Sequence, residues 1–309
     1  MAGVITHLIA GSNFLKKQKL VAKEYHGCFL LGSCYPDAGY FPGEKSIISD
    51  LAHYLMAARI ARYLFQETSS ESWKAFALGW LFHLQTDLAI HPMVNKLAAQ
   101  YHYGAEYNDQ IYTYEQSPLI HALIENELDC KLLRVSSIDQ LCFTTPVMTG
   151  LNPISKAFED FYSLKLDDNY LNKMIIKLPG KLKFIYRSLT KLENMKALKQ
   201  FTIWILQILR KLLGESKYIL IKNFIAPDQI DDEKFSEYQQ AIAELIDKIS
   251  HHDLPQWFSE DYNFDTGNIS KLGEYKIADR LFTELDGNEN KSLIWDKFKV
   301  QFCKKDGGK

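Results

Sequence analysis

The stretch ESWKAFALGWLFHLQTDLAIHP, residues 71–92, decides how this chain reads. Its apolar residues recur at three- and four-residue steps, the period of an α-helix and not of a strand. Within it His83, Asp87 and His91 stand at i, i+4 and i+8, so all three share one helix face, one turn above another. Each step is about 6 Å along the axis, which lets neighbouring side chains converge on one or two metal ions. A solvated i,i+4 ion pair would explain one such pair on its own. Here His83 lies in the apolar run from Phe76 to Leu84, where a charge needs a partner or a metal. Pro92 is expected to end or kink the helix and to free His91 to reach sideways.

The same logic recurs in HALIENELD, residues 121–129, where His121, Glu125 and Asp129 fall on one stripe between apolar neighbours. That segment opens with Ser117 as an N-cap and Pro118 at the first helical position. Residues 46–66 repeat Ile48, Leu51, Leu55, Ala58 and Leu64 at helical spacing and carry His53. Residues 153–164, 192–213 and 233–250 are further helix candidates, and only short runs such as 143–147 suggest strand. The fold class expected is all-α, a multi-helix bundle with loop-rich connections at 27–45, 101–116 and 136–152.

With 309 residues, 47% apolar and 24% charged, the chain can bury a sizeable core and is not disordered. Residues 1–165 are expected to form a metal-binding catalytic helical core, and 166–309 a helical region completing the bundle. The formal net charge of −2 argues against non-specific nucleic-acid coating, so no stable nucleic-acid binding is expected. The charge is uneven. Residues 1–170 hold 13 basic and 18 acidic side chains, 171–222 hold 12 and 2, and 223–309 hold 11 and 18. Inside the basic block, residues 199–214 are apolar over a wide face and basic elsewhere, a pattern that suits an anionic membrane surface. It equally suits a helix packed on the protein with its lysines in water. The five cysteines are odd in number and lack C-x-x-C spacing, which fits a reducing compartment better than a disulfide framework or zinc ribbon. The N-terminus has no basic stretch before its apolar one, and no segment is long enough to span a bilayer, so a cytoplasmic protein is expected.

Three further residues complete a candidate set: His7 after Thr6, His53 on the 46–66 helix, and Asp37 after Pro36 in a Gly-bounded loop that would hold a carboxylate rigidly. Each alone would read as a terminus, core or turn residue. In order they run T-H, G-S-x-x-P-D, a lone helical His, G-W-L-x-H-x-x-x-D-x-x-x-H-P, then H-x-x-x-E. This series resembles the zinc-dependent phospholipase C family, whose trinuclear zinc fold is shared with single-strand-specific nucleases. The resemblance covers residues 1 to about 130.

The resemblance implies two or three Zn²⁺ per chain. Asp37, His53, His83 and Asp87 would hold one ion, and His91, His121 and Glu125 a second. Asp87 would bridge to a third, bound by His7 and by the mature terminal residue. Removal of Met1 would make Ala2 that terminal amine. Asp129 would be a partner of His121 or an extra ligand. The implied chemistry is hydrolysis of a phosphodiester by metal-activated water, giving an alcohol and a phosphomonoester, with Asp37 orienting the water or acting as base and Asp87 as the bridging carboxylate. A phospholipid is the expected substrate, with 199–214 meeting an anionic membrane surface. The alternatives are a single-strand-specific nuclease, whose bases would stack on the Tyr-rich loop 101–114, and a non-catalytic, metal-stabilised membrane-surface binding protein.

Overall fold

The computed structural model describes residues 3–54, 57–104, 116, 118–162, 164–194 and 230–250. The basic amphipathic segment 199–214 and most of the Tyr-rich loop lie outside the described residues, as does Ala2. All regular structure among the described residues is helical: α1 (Val4–Lys17), α2 (His26–Gly32), α3 (Ser46–Tyr54), α4 (Ala57–Gln66), α5 (Glu71–Tyr103), α6 (Pro118–Val135), α7 (Ile154–Tyr162), α8 (Asp168–Asn194) and α9 (Asp232–Ser250). Short 3-10 turns stand at Lys23–Tyr25, Pro36–Tyr40 and Gln140–Phe143. No helix among the described residues is long and apolar enough to cross a membrane.

α5 is the axis of the molecule. It buries side chains around nearly its whole circumference, which is what an all-round apolar helix must do. α1, α2, α4, α6 and α9 all pack on it. Of the two outcomes expected at Pro92, an end or a kink, the first does not occur: α5 runs through it to Tyr103. A proline removes one backbone hydrogen bond and crowds the carbonyl four residues earlier, at a cost of about 3 kcal/mol. Burial of Ile90 and His91 before it and of Val94, Leu97 and Ala98 after it offsets that cost. The helix ends instead at Gly104, whose φ of 119° suits a residue without a Cβ.

Two other expectations also change. The supposed loop 27–45 contains α2 and the turn Pro36–Tyr40, because the run Cys28–Leu31 is fully buried and tertiary packing overrides its flanking glycines. Residues 143–147 form no strand; Phe143 closes a 3-10 turn, and the residues after it have no ladder partner.

The tightest contact in the fold is the crossing of α2 and α5. A β-carbon on Gly32 would stand 2.0 Å from the Phe76 carbonyl oxygen, and one on Gly79 would stand 2.0 Å from that of Phe29. The two backbones touch reciprocally, and only glycine permits it. This contact matters for the site, since the residue after Gly32 and the residue four after Gly79 face each other across it. Gly79→Ala is expected to destabilise the protein by about 3 kcal/mol or more through overpacking. Gly180→Ala, at an open and exposed position of α8, should be neutral or stabilising by up to about 1 kcal/mol. Urea denaturation of the two variants separates these outcomes.

Candidate metal centre

Five helices and one turn deliver the site. α1 brings His7, the turn Pro36–Tyr40 brings Asp37, α3 brings His53, α5 brings His83, Asp87 and His91, and α6 brings His121 and Glu125. α9 contributes from behind, through Tyr238. Every one of the eight candidate ligands is buried. Their ligating atoms cluster in three groups that can hold a metal ion: His7, His83 and Asp87; Asp37, His53 and His83; His91, His121 and Glu125.

Asp87 joins the groups. Its Oδ1 lies 3.1 Å from His7 Nε2 and 3.5 Å from His91 Nε2. Its Oδ2 lies 3.1 Å from His83 Nε2 and 3.5 Å from His53 Nε2. Asp37 Oδ1 is 3.3 Å from His53 Nε2, and Glu125 Oε1 is 3.0 and 3.3 Å from the Nε2 atoms of His121 and His91. The His7 ring stacks on that of His83 at 3.8 Å between centroids.

Backbone carbonyls set the orientation of the two central imidazoles. His53 Nδ1 donates to the Ser49 carbonyl at 2.6 Å, and His83 Nδ1 donates to the Ser33 carbonyl at 3.0 Å. With Nδ1 of each ring donating to a carbonyl, the two Nε2 atoms face each other only 2.8 Å apart, a spacing that one shared proton or one metal ion bridges. Two lone pairs at that distance repel unless a positive charge serves both. Among the described residues, the buried Asp37 Oδ2 and His7 Nδ1 have no hydrogen-bond partner. These features fit a metal ion bound by imidazole and carboxylate, a donor set that suits zinc.

Electrostatics sort the carboxylates. Burial alone would raise the Asp87 carboxyl, but the imidazoles of His83, His91 and His7 outweigh it and hold it well below the usual range. Asp37 is likewise held low against burial by His83 and His53, and Glu125 by His121 and His91. Asp129 behaves in the opposite way: burial pushes it up to about 7, against the hydrogen bonds from Thr6 and Ile5.

That contrast follows from where Asp129 points. Its two oxygens accept from Ile5 N at 3.0 Å, Thr6 N at 2.9 Å and Thr6 Oγ1 at 2.7 Å. These are the second and third N–H groups of α1, which an N-cap side chain would normally satisfy. The α1 N-cap is Gly3, which has no side chain to do so. Asp129 therefore caps α1 from α6, where a role beside His121 was expected. Since Thr6 Oγ1 gives its proton to Asp129, Tyr238 must donate to Thr6 Oγ1, at 2.8 Å. One residue after Thr6, His7 meets Asp87. Ala2, the expected terminal ligand, lies outside the described residues. The chain at Gly3 already stands over the site, since a β-carbon there would lie 3.8 Å from His7 Nε2 and 4.0 Å from Glu125 Oε1.

Sequence reasoning named the eight clustered side chains but missed the Ser33 and Ser49 carbonyls, which carry no side-chain signal. It also missed Ser49 Oγ, which accepts from Gly39 N at 2.7 Å and so ties the Asp37 turn to the His53 helix. Cys34 is a buried thiol whose pKa is pushed far up by burial, consistent with a structural neighbour and not a nucleophile.

No curated protein and no solved structure matches the chain. The profile of the family described as zinc dependent phospholipase C matches residues 3–187, well beyond the 130 residues over which the resemblance was read. That span is more than half of the 309 residues, and it contains every one of the eight clustered side chains. The chain belongs to the zinc dependent phospholipase C family.

Proposed function

We propose that this protein is a zinc-dependent phosphodiester hydrolase of the phospholipase C type, cleaving a phospholipid to an alcohol and a phosphomonoester. The observation that carries the proposal is the pair of Nε2 atoms on His53 and His83, 2.8 Å apart with both ring protons committed to carbonyls. His7, Asp37, His53, His83, Asp87, His91, His121 and Glu125 are the proposed ligands of two or three ions. Zinc bound there supplies Lewis acidity, which makes a nucleophilic water available near neutral pH and neutralises charge on the phosphodiester.

The chain's own residues do the rest. Asp87, whose two oxygens face different histidine pairs, keeps the groups in register. Asp37 is buried with Oδ2 unclaimed by any donor among the described residues, and that atom is the one proposed to orient the attacking water and accept its proton. The new bond forms between the water oxygen and phosphorus as the bond to the leaving oxygen breaks, and the proton taken up by Asp37 returns through solvent to the departing alkoxide to give the alcohol. No serine or cysteine nucleophile is required. Asp129 and Tyr238 act as positioning residues, holding the first turn of α1 so that His7 meets Asp87.

Protein purified without added metal should carry two or three zinc equivalents by inductively coupled plasma mass spectrometry. It should hydrolyse short-chain phosphatidylcholine and stop when chelated. Near-zero metal that added zinc cannot restore would overturn the hydrolase reading, and digestion of single-stranded DNA without lipid hydrolysis would move the substrate to nucleic acid.

Asp87→Asn should lower kcat/KM by more than about a hundredfold, beyond the range seen when only a supporting partner of a metal ligand is lost. Full activity in that variant would sink the shared-carboxylate arrangement. Asp129→Asn turns one oxygen into an NH2 facing the α1 donors. Its metal content should fall by about one equivalent while the ions remote from His7 remain, with Tyr238→Phe a weaker version of the same loss. An unchanged stoichiometry and metal affinity in Asp129→Asn would remove its positioning role.

A further inference from the structure

α8 is unlike the other helices in charge. Between Asp168 and Glu193 it has no acidic residue, while Lys173, Lys177, Lys181, Lys183, Arg187 and Lys191 all fall in that span. The helix sorts them. Lys181 turns inward to pair with Glu44 and sits over the Phe41 ring. Lys173, Lys177, Arg187 and Lys191 are exposed, at steps that keep them along one face with Gly180 and Phe184 between them. None of these four cations has an acidic partner among the described residues.

The same face is apolar where a solvated helix should not be. Phe184 is 72% exposed and Ile176 60% exposed. The connection before α7 runs along this helix and continues the pattern. Thr145 Oγ1 donates to the Ile176 carbonyl, the Phe143 ring packs on Tyr186 at 5.0 Å, and Asn152 Nδ2 donates to Asn172 Oδ1. Residues 140–151 contain no charged side chain, and their Val147 and Leu151 are 80% and 93% exposed.

We propose that the exposed face of α8, together with the 143–152 connection beside it, docks on an anionic phospholipid bilayer. The occupant follows from the pairing of features. Cations alone would suit any polyanion, but bulky aliphatic and aromatic groups projecting between them are matched by an interface with phosphate at the surface and acyl chain beneath. Nucleic acid offers no such apolar layer to Ile176, Val147 and Leu151. The proposal rests on the phospholipid reading above and extends it from the reaction to the surface on which it occurs; it adds α8 to the membrane contact expected at 199–214.

The test is cosedimentation of the full-length, zinc-loaded protein with vesicles of phosphatidylcholine alone and of phosphatidylcholine with phosphatidylserine. Hydrolysis of monomeric short-chain phosphatidylcholine is measured alongside. The wild-type protein should partition to the phosphatidylserine vesicles and be released by salt. The triple variant Lys173→Gln, Lys177→Gln, Arg187→Gln should lose about fivefold in partitioning per charge, about a hundredfold in all. The pair Ile176→Ser, Phe184→Ser should weaken binding to both vesicle types. All these positions are exposed, and none touches the metal centre, so short-chain hydrolysis should not change in either variant. Failure of the wild-type protein to bind phosphatidylserine vesicles, or equal binding by both variants, overturns the docking surface. Intact vesicle binding with no short-chain hydrolysis would instead overturn the hydrolase reading and leave the surface standing.

Discussion

Two imidazole nitrogens 2.8 Å apart, each ring already donating from Nδ1 to a backbone carbonyl, are an arrangement that needs a positive charge between them, a shared proton or a metal ion. Much of the fold can be traced to keeping it. The Ser33 carbonyl reaches His83 because α2 and α5 touch backbone to backbone at Gly32 and Gly79. The Ser49 carbonyl reaches His53 from one turn earlier in α3, and the Ser49 hydroxyl anchors the turn that carries Asp37. The first of these bonds depends on the α2–α5 crossing and the second only on α3 being helical. The polar centre is thus held by apolar packing and by main-chain acceptors that leave the ligand atoms free.

Burial makes the carboxylates expensive and the histidines make them affordable. Asp37, Asp87 and Glu125 each face imidazole nitrogens and are held in their ionised form. Asp129 lies one turn along α6 from Glu125, yet it faces amide and hydroxyl donors in place of imidazoles, and these do not outweigh the burial that pushes it up. One helix therefore serves two purposes with chemically similar side chains. Glu125 completes a group of potential metal ligands, and Asp129 fixes the approach of α1. Through Thr6, α9 joins that arrangement from residues beyond the span of the family match, so a distant segment bears on the placement of His7.

The helical periods of 71–91 and 117–134 were legible in the sequence because a helix repeats every 3.6 residues, whatever surrounds it. They suffice to put His83, Asp87 and His91 on one stripe and His121 with Glu125 on another. The all-α class follows from the same pattern, whereas zinc enters through the resemblance to the family and the donor set, not through the period. What the pattern does not contain is direction. Asp129 has the same spacing from Glu125 as Glu125 has from His121, but it looks across 123 residues of chain to α1. Pro92 reads as a breaker by local rules, and only the burial of the turns on both sides keeps α5 whole. Residues 27–32 read as loop by their glycines, and only the contact with α5 makes them a helix and gives those glycines their purpose. Local propensity and periodicity belong to neighbouring residues and can be read from order alone. Which carbonyl meets which ring, and which carboxylate meets a cation or an amide, depends on contacts between residues far apart in the chain, whose energies are set by burial and distance and so exist only once the helices have packed.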